Sequence, residues 1–195
     1  MNLKNTNVLL ISAFFLLLTV NVNAGDKVDN QQLEQARVLV KTFATDLKKV
    51  LSKSMISGGA INALKQCNIQ APLIADKHTA LSGWRVGRTA LKVRNEDNTP
   101  DDWEINVLKQ FEQRKLAGEN LTTMEYAETV VKGNQRIYRY MKPIPTAGLC
   151  LTCHGAELTE SVSEKVQSLY PKDQATGFSL GDIRGAFTLE KVQTH

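Results

Sequence analysis

Cys150-Leu151-Thr152-Cys153-His154-Gly155 is the stretch from which the rest of this chain takes its sense. Two thiols three positions apart, followed directly by an imidazole, form the C-x-x-C-H pattern of a c-type haem attachment site. Each thiol can join one vinyl group through a thioether. The next residue then lies under the macrocycle, where a histidine can bind the iron. Two other uses of such a pair compete. A structural zinc site needs four nitrogen or sulfur ligands, and the remaining candidates, Cys67 and His78, form no second close-spaced pair. A redox dithiol sits after a strand, opening a helix of a βαβ unit, whereas Pro143, Pro145 and Gly148 before the motif and Gly155 after it read as loop. One covalent haem c, held by Cys150, Cys153 and His154, is the better fit.

The start of the chain agrees with that chemistry. Lys4 supplies a short basic region, residues 8–20 are apolar apart from Ser12 and Thr19, and Val22-Asn23-Ala24 offers a cleavage site. This is the layout of a secretory signal peptide. The apolar run falls short of the roughly 20 residues that cross a bilayer. The expectation is a signal peptide over 1–24, cleaved after Ala24, leaving an exported, periplasmic protein with no membrane segment. Haem c of the cytochrome class is attached outside the bacterial cytoplasmic membrane, so export and motif fit together. The whole 195-residue chain carries a net charge of +4. That balance lacks the strongly basic stripe of a nucleic-acid partner. Three cysteines less the two of the motif leave Cys67, which is buried and inert, paired between chains, or a ligand.

Leu33, Ala36, Val40, Phe43, Leu47 and Val50 recur at spacings of three and four, the stripe of a long amphipathic helix. It suits core packing better than a coiled coil, although the spacing also admits a dimer through this helix. Ser57-Gly58-Gly59 ends it, which divides the remainder into an N-terminal helix, 25–57, and a haem domain, 58–195. A second helix carries Ala60, Ile61, Leu64 and Cys67 and is expected to stop at Ala71-Pro72. Asp76-Lys77-His78-Thr79 reads as a solvated loop. One or two strands follow over 84–94, rich in Arg85, Arg88, Lys92 and Arg94. Turn residues 94–100 lead to a helix capped by Asp101-Asp102. Strands are expected over 135–141 and 184–192, with a helix over 159–169. Helices first and antiparallel-type strands after indicate α+β.

A six-coordinate iron needs a partner opposite His154. Cys67, on an apolar helix face, and Met141, after a strand and near the motif, both qualify, and spacing does not choose between them. Arg88 and Arg94 can bind propionates bidentately.

Several stretches together resemble a PAS-like mono-haem cytochrome c family, found as exported proteins and as sensor modules of bacterial signalling proteins. They are Ala63-Leu64-Lys65-Gln66-Cys67-Asn68, Arg88 to Arg94 with the following Asn95, Asn98, Pro100, Asp101, Trp103 and Glu104, the C-x-x-C-H motif, Tyr170-Pro171 through Gly177-Phe178, and Gly181-Asp182-Ile183-Arg184-Gly185-Ala186-Phe187. Glu96 departs from the family pattern, where proline is expected, and that touches a turn only. The resemblance implies a PAS-like fold, a small antiparallel sheet flanked by helices. It also implies that Cys67 is the distal ligand. A thiolate favours ferric iron, so the potential should be low. Low-potential electron transfer to a redox partner protein is the expected function, with a redox or diatomic-gas sensor acting through a partner as the alternative. No Arg and His pair of the peroxidase kind is evident, so no enzymatic activity is expected.

Overall fold

The computed structural model describes residues 30–193; the expected signal peptide over 1–24 and its cleavage site after Ala24 lie outside them. The elements are helix α1 (Asn30–Ser82), strand β1 (Arg85–Thr89), a single 3-10 turn (Glu96–Asn98), helix α2 (Asp102–Leu116), strands β2 (Tyr126–Lys132) and β3 (Gln135–Pro145), helices α3 (Gly148–His154) and α4 (Glu160–Leu169), and strand β4 (Ile183–Gln193). The four strands form one antiparallel sheet in the order β1-β4-β3-β2. With helices on both faces and the long helix at its start, the fold is α+β.

The helix α1 is two arms joined at a break. Gly58 and Gly59 leave helical geometry, and Gly59 takes φ +64°, which glycine adopts without a Cβ penalty. Asn62 Nδ2 donates to Ser54 O (3.1 Å) and Ser57 Oγ (3.0 Å), stapling the arms across the break. The arms fold back on each other. Phe43 of the first arm meets His78 of the second at a ring separation of 5.5 Å, and His78 Nε2 lies 3.1 Å from Asp46 Oδ2. His78 is therefore buried in a helix rather than solvated in a loop. Helix also continues through Pro72, where a stop was expected. An interior proline costs about 3 kcal/mol or more. Packing of Ile74 and Ala75 onto the core around Phe43 and Val86 offsets that cost.

Strand alternation divides the interior into two layers. Tyr138 and Tyr140 of β3 and Leu189 of β4 face α1 and meet Ala36, Val40, Phe43, Trp84 and Val86. The stripe read from the sequence thus lies on this chain's own sheet. Met141 and Ala186 point to the other face and meet Val107, Leu108 and Phe111 of α2. Asp101 caps α2 by accepting from Glu104 N (2.8 Å), and Glu104 Oε2 accepts from Asp101 N (3.0 Å), a complete capping box. A third, smaller cluster joins Leu64 of α1 to Val162 and Val166 of α4, with Cys153 against it. Among the described residues no helix is long and apolar enough to cross a membrane.

Candidate functional site

The C-x-x-C-H motif forms the short helix α3 rather than a loop. Ala147 N donates to Cys150 Sγ (3.4 Å) at its start, and Gly155 N closes its end on Leu151 O (2.9 Å). A Cβ at Gly155 would stand 2.6 Å from Leu151 O, so only glycine allows the chain to leave the helix this closely. The segment after α4 then straps the motif. Phe178 N donates to His154 O and Gly177 N to Gly155 O, both at 3.0 Å.

The helix turn brings Cys67 of α1 to this place. Burial pushes the Cys153 thiol up, and the neighbouring Cys67 and Cys150 push the same way while Arg94 opposes them. Burial likewise pushes the Cys67 thiol up, against the pull of Arg88 and Arg94. Cys67, Cys150 and Cys153 are free thiols, each half-buried. Among the described residues no three His, Cys, Asp or Glu side chains gather as a metal-ion site. His78, the other zinc candidate, is turned to Asp46.

His154 is held as a neutral imidazole. Burial, with Arg184, Arg94 and Arg88 nearby, pushes it down to about 2, against the Ala175 hydrogen bond. Its Nδ1 lies 2.7 Å from Ala175 O, and Arg184 Nε lies 3.1 Å from the same Nδ1 and 3.4 Å from Nε2. Nδ1 cannot both donate to the carbonyl and accept from the guanidinium. The carbonyl can only accept, so Nδ1 carries the proton. An atom nearly equidistant from both ring nitrogens lies along neither lone pair, so Arg184 rests against the ring face. Phe178 flanks both groups, edge-on to the His154 ring (88°) and beneath the Arg184 guanidinium at 5.3 Å. Nε2 keeps its lone pair for a Lewis acid.

The two arginines expected at propionates have different surroundings. Arg88, half-buried on β1, makes no hydrogen bond or ion pair among the described residues, and burial pulls its pKa down although Cys67 and Tyr170 lie near. Arg94 is instead committed to the protein. Its Nε and Nη2 grip both oxygens of Asp173 at 3.0 Å, and Nη2 also donates to Cys153 O (2.7 Å) and Ala175 O (3.1 Å). Arg184, in the closing Gly-Asp-Ile-Arg-Gly-Ala stretch, joins the group unforeseen. Burial and the other two arginines pull it down to about 10, so it stays cationic at neutral pH. Strand alternation alone gives no signal that β4 would deliver it to His154. Met141 is fully buried under α2, in a different cluster from the thiols.

A family model described as Tll0287-like matches residues 25–190. Among solved structures, the crystal structure of the cyanobacterial heme-protein Tll0287 is similar at 24% identity and a TM-score of 0.60, covering 85% of this chain and 97% of that one. At that identity the likeness is one of fold. No curated protein matches the chain.

Proposed function

The chain belongs to the Tll0287-like family, and from that premise we propose that it is an exported mono-haem c-type protein whose iron takes His154 and Cys67. The fold relative is named a heme-protein. The residues here fit that group. Cys150 and Cys153 are free thiols on one turn, and His154 is neutral with Nε2 uncommitted. Arg88 and Arg184 make no ion pair among the described residues, so two cations are available to propionates. When bound, the haem supplies reversible one-electron redox chemistry at iron. The protein's share is orientation and charge: Ala175 O fixes the tautomer of His154, Arg88 and Arg94 favour the thiolate form of Cys67, and burial opposes it.

The observation that carries the reading is the arrival of Cys67, from the second arm of α1, beside Cys153, Arg88 and Arg94. Met141 is taken up by the α2 core, which leaves Cys67 as the distal candidate. A thiolate at that position favours ferric iron and a low potential, which suits electron transfer to a redox partner protein. A redox or diatomic-gas sensor is the second reading, favoured by the burial that disfavours the Cys67 thiolate. Cys67 would then be the group released, as a thiol that takes its proton from solvent when an electron donor reduces the site, and a partner protein would read the change.

Protein matured in a haem-c-competent host decides the matter. The wild type should carry one covalent haem and a low-spin, thiolate-type ferric spectrum, and Cys67→Ala should abolish that spectral type. Unchanged spectra in Cys67→Ala would remove the residue from the iron. Carbon monoxide binding by the reduced protein separates the readings: ready binding favours the sensor, refusal favours electron transfer.

A further inference from the structure

Arg94 and Asp173 form a buried ion pair, with side chains 9% and 5% exposed. A buried pair is weak evidence for added stability, because desolvation cancels much of the attraction. Its placement points to another use. Asp173 Oδ1 accepts from Ala175 N (3.0 Å) while Arg94 Nη2 donates to Ala175 O (3.1 Å), so the pair holds the N–H and the C=O of one residue. The same Nη2 donates to Cys153 O (2.7 Å), immediately before His154. The Ala175 carbonyl, with its two lone pairs, receives both Arg94 and the Nδ1–H of His154. One guanidinium nitrogen therefore sets the distance between the motif and the carbonyl that orients its imidazole.

We propose that Arg94, with Asp173, is a positioning residue that pins the Ala175 carbonyl to His154 Nδ1, fixing which ring nitrogen faces the iron and how strongly it donates. The inference rests on the haem c reading and deepens it. Outer partners of this kind fix the tautomer of a ligating histidine and raise its basicity. Lysine keeps the charge of Arg94 but offers one shorter-reaching ammonium in place of a planar fork, so it loses the two-nitrogen grip on Asp173 that holds Nη2 against Cys153 O and Ala175 O.

Arg94→Lys is the test, read two ways. In the haem-free chain, nitrogen NMR of the His154 ring at neutral pH should show the single Nδ1–H tautomer in the wild type and a mixture in Arg94→Lys. In haem-loaded protein the midpoint potential should rise, reflecting a loss of ferric preference on the order of tenfold, which is 59 mV for one electron. The charge at position 94 is kept in Arg94→Lys, so a rise in potential reports the lost orientation of His154 rather than a change in the local field. Should Arg94→Lys fail to fold, the charge-balanced double variant Arg94→Gln with Asp173→Asn carries the same two readouts. Wild-type tautomer and wild-type potential in a folded, haem-loaded variant, with stability alone reduced, would overturn the positioning role and leave the haem reading intact. A wild type without covalent haem would overturn both.

Discussion

Replacing Gly155 by alanine should unfasten the motif helix. The backbone at Gly155 has φ −66° and ψ 174°, which any residue adopts, so the penalty is purely steric. The added methyl would lie 2.6 Å from Leu151 O and 3.4 Å from its carbonyl carbon. Both are backbone atoms, which cannot rotate away. Relief requires opening the 2.9 Å bond from Gly155 N to Leu151 O, and the same movement displaces the His154 and Gly155 carbonyls from Phe178 N and Gly177 N. Overpacking costs about 1–3 kcal/mol, and each net hydrogen bond lost adds about 0.5–1.5 kcal/mol. A destabilisation of about 2–4 kcal/mol follows, with a melting temperature lower by roughly 2–4 °C for each kcal/mol. Urea unfolding of the haem-free chain measures it. Gly148→Ala is the control, because nothing lies within 4 Å of a Cβ there. If Gly155→Ala stays within about 0.5 kcal/mol of the wild type, as surface changes do, the close approach is not what keeps glycine after the histidine.

Two further outcomes follow from the charges around the site. The folded chain holds His154 at about 2, below its ordinary value of 6.5. Its contribution to stability is therefore present above pH 6.5 and lost as pH falls, by about 2 kcal/mol at pH 5. Denaturation of the haem-free protein across that range should show the loss, and His154→Gln should remove it; an equal slope in the variant refutes the assignment. Arg88→Met should slow alkylation of Cys67 in a haem-free Cys150→Ser, Cys153→Ser background, because Arg88 pulls the thiol down against burial. An unchanged rate would mean that the guanidinium does not reach the sulfur's charge.

Much of this arrangement was legible because it is local. The start of α2 reads directly from Asp101-Asp102, and the α1 stripe from Leu33 to Leu47. The helix stop at Ala71-Pro72 was misplaced because a packed face outweighed the local penalty of Pro72. The polar neighbours of His78 suggest a loop, whereas Phe43 and Asp46, on the other arm, decide its surroundings. The strand β2 leaves no sequence signal, because Tyr126–Lys132 sits at the sheet edge with side chains half-buried or exposed and no clean alternation. Pro143, Pro145, Gly148 and Gly155 suggested a loop around the cysteines, yet the prolines end β3 and the glycines bracket a short helix. The choice between Cys67 and Met141 turns on which face of β3 meets α2, and on a helical arm returning from far upstream. Neither is encoded in spacing.

The strand order β1-β4-β3-β2 also constrains the path by which the chain acquires its shape. The last strand is not an edge but an interior member, with β1 on one side and the β2–β3 hairpin on the other. Until Ile183–Gln193 has been inserted, β1 has no partner and the two halves of the sheet are separate. Pairings such as Arg85 with Glu190 close a very long loop, the kind of contact that slows folding. Arg184 travels on that same strand. The cationic side of His154 is therefore completed in the step that unites the sheet.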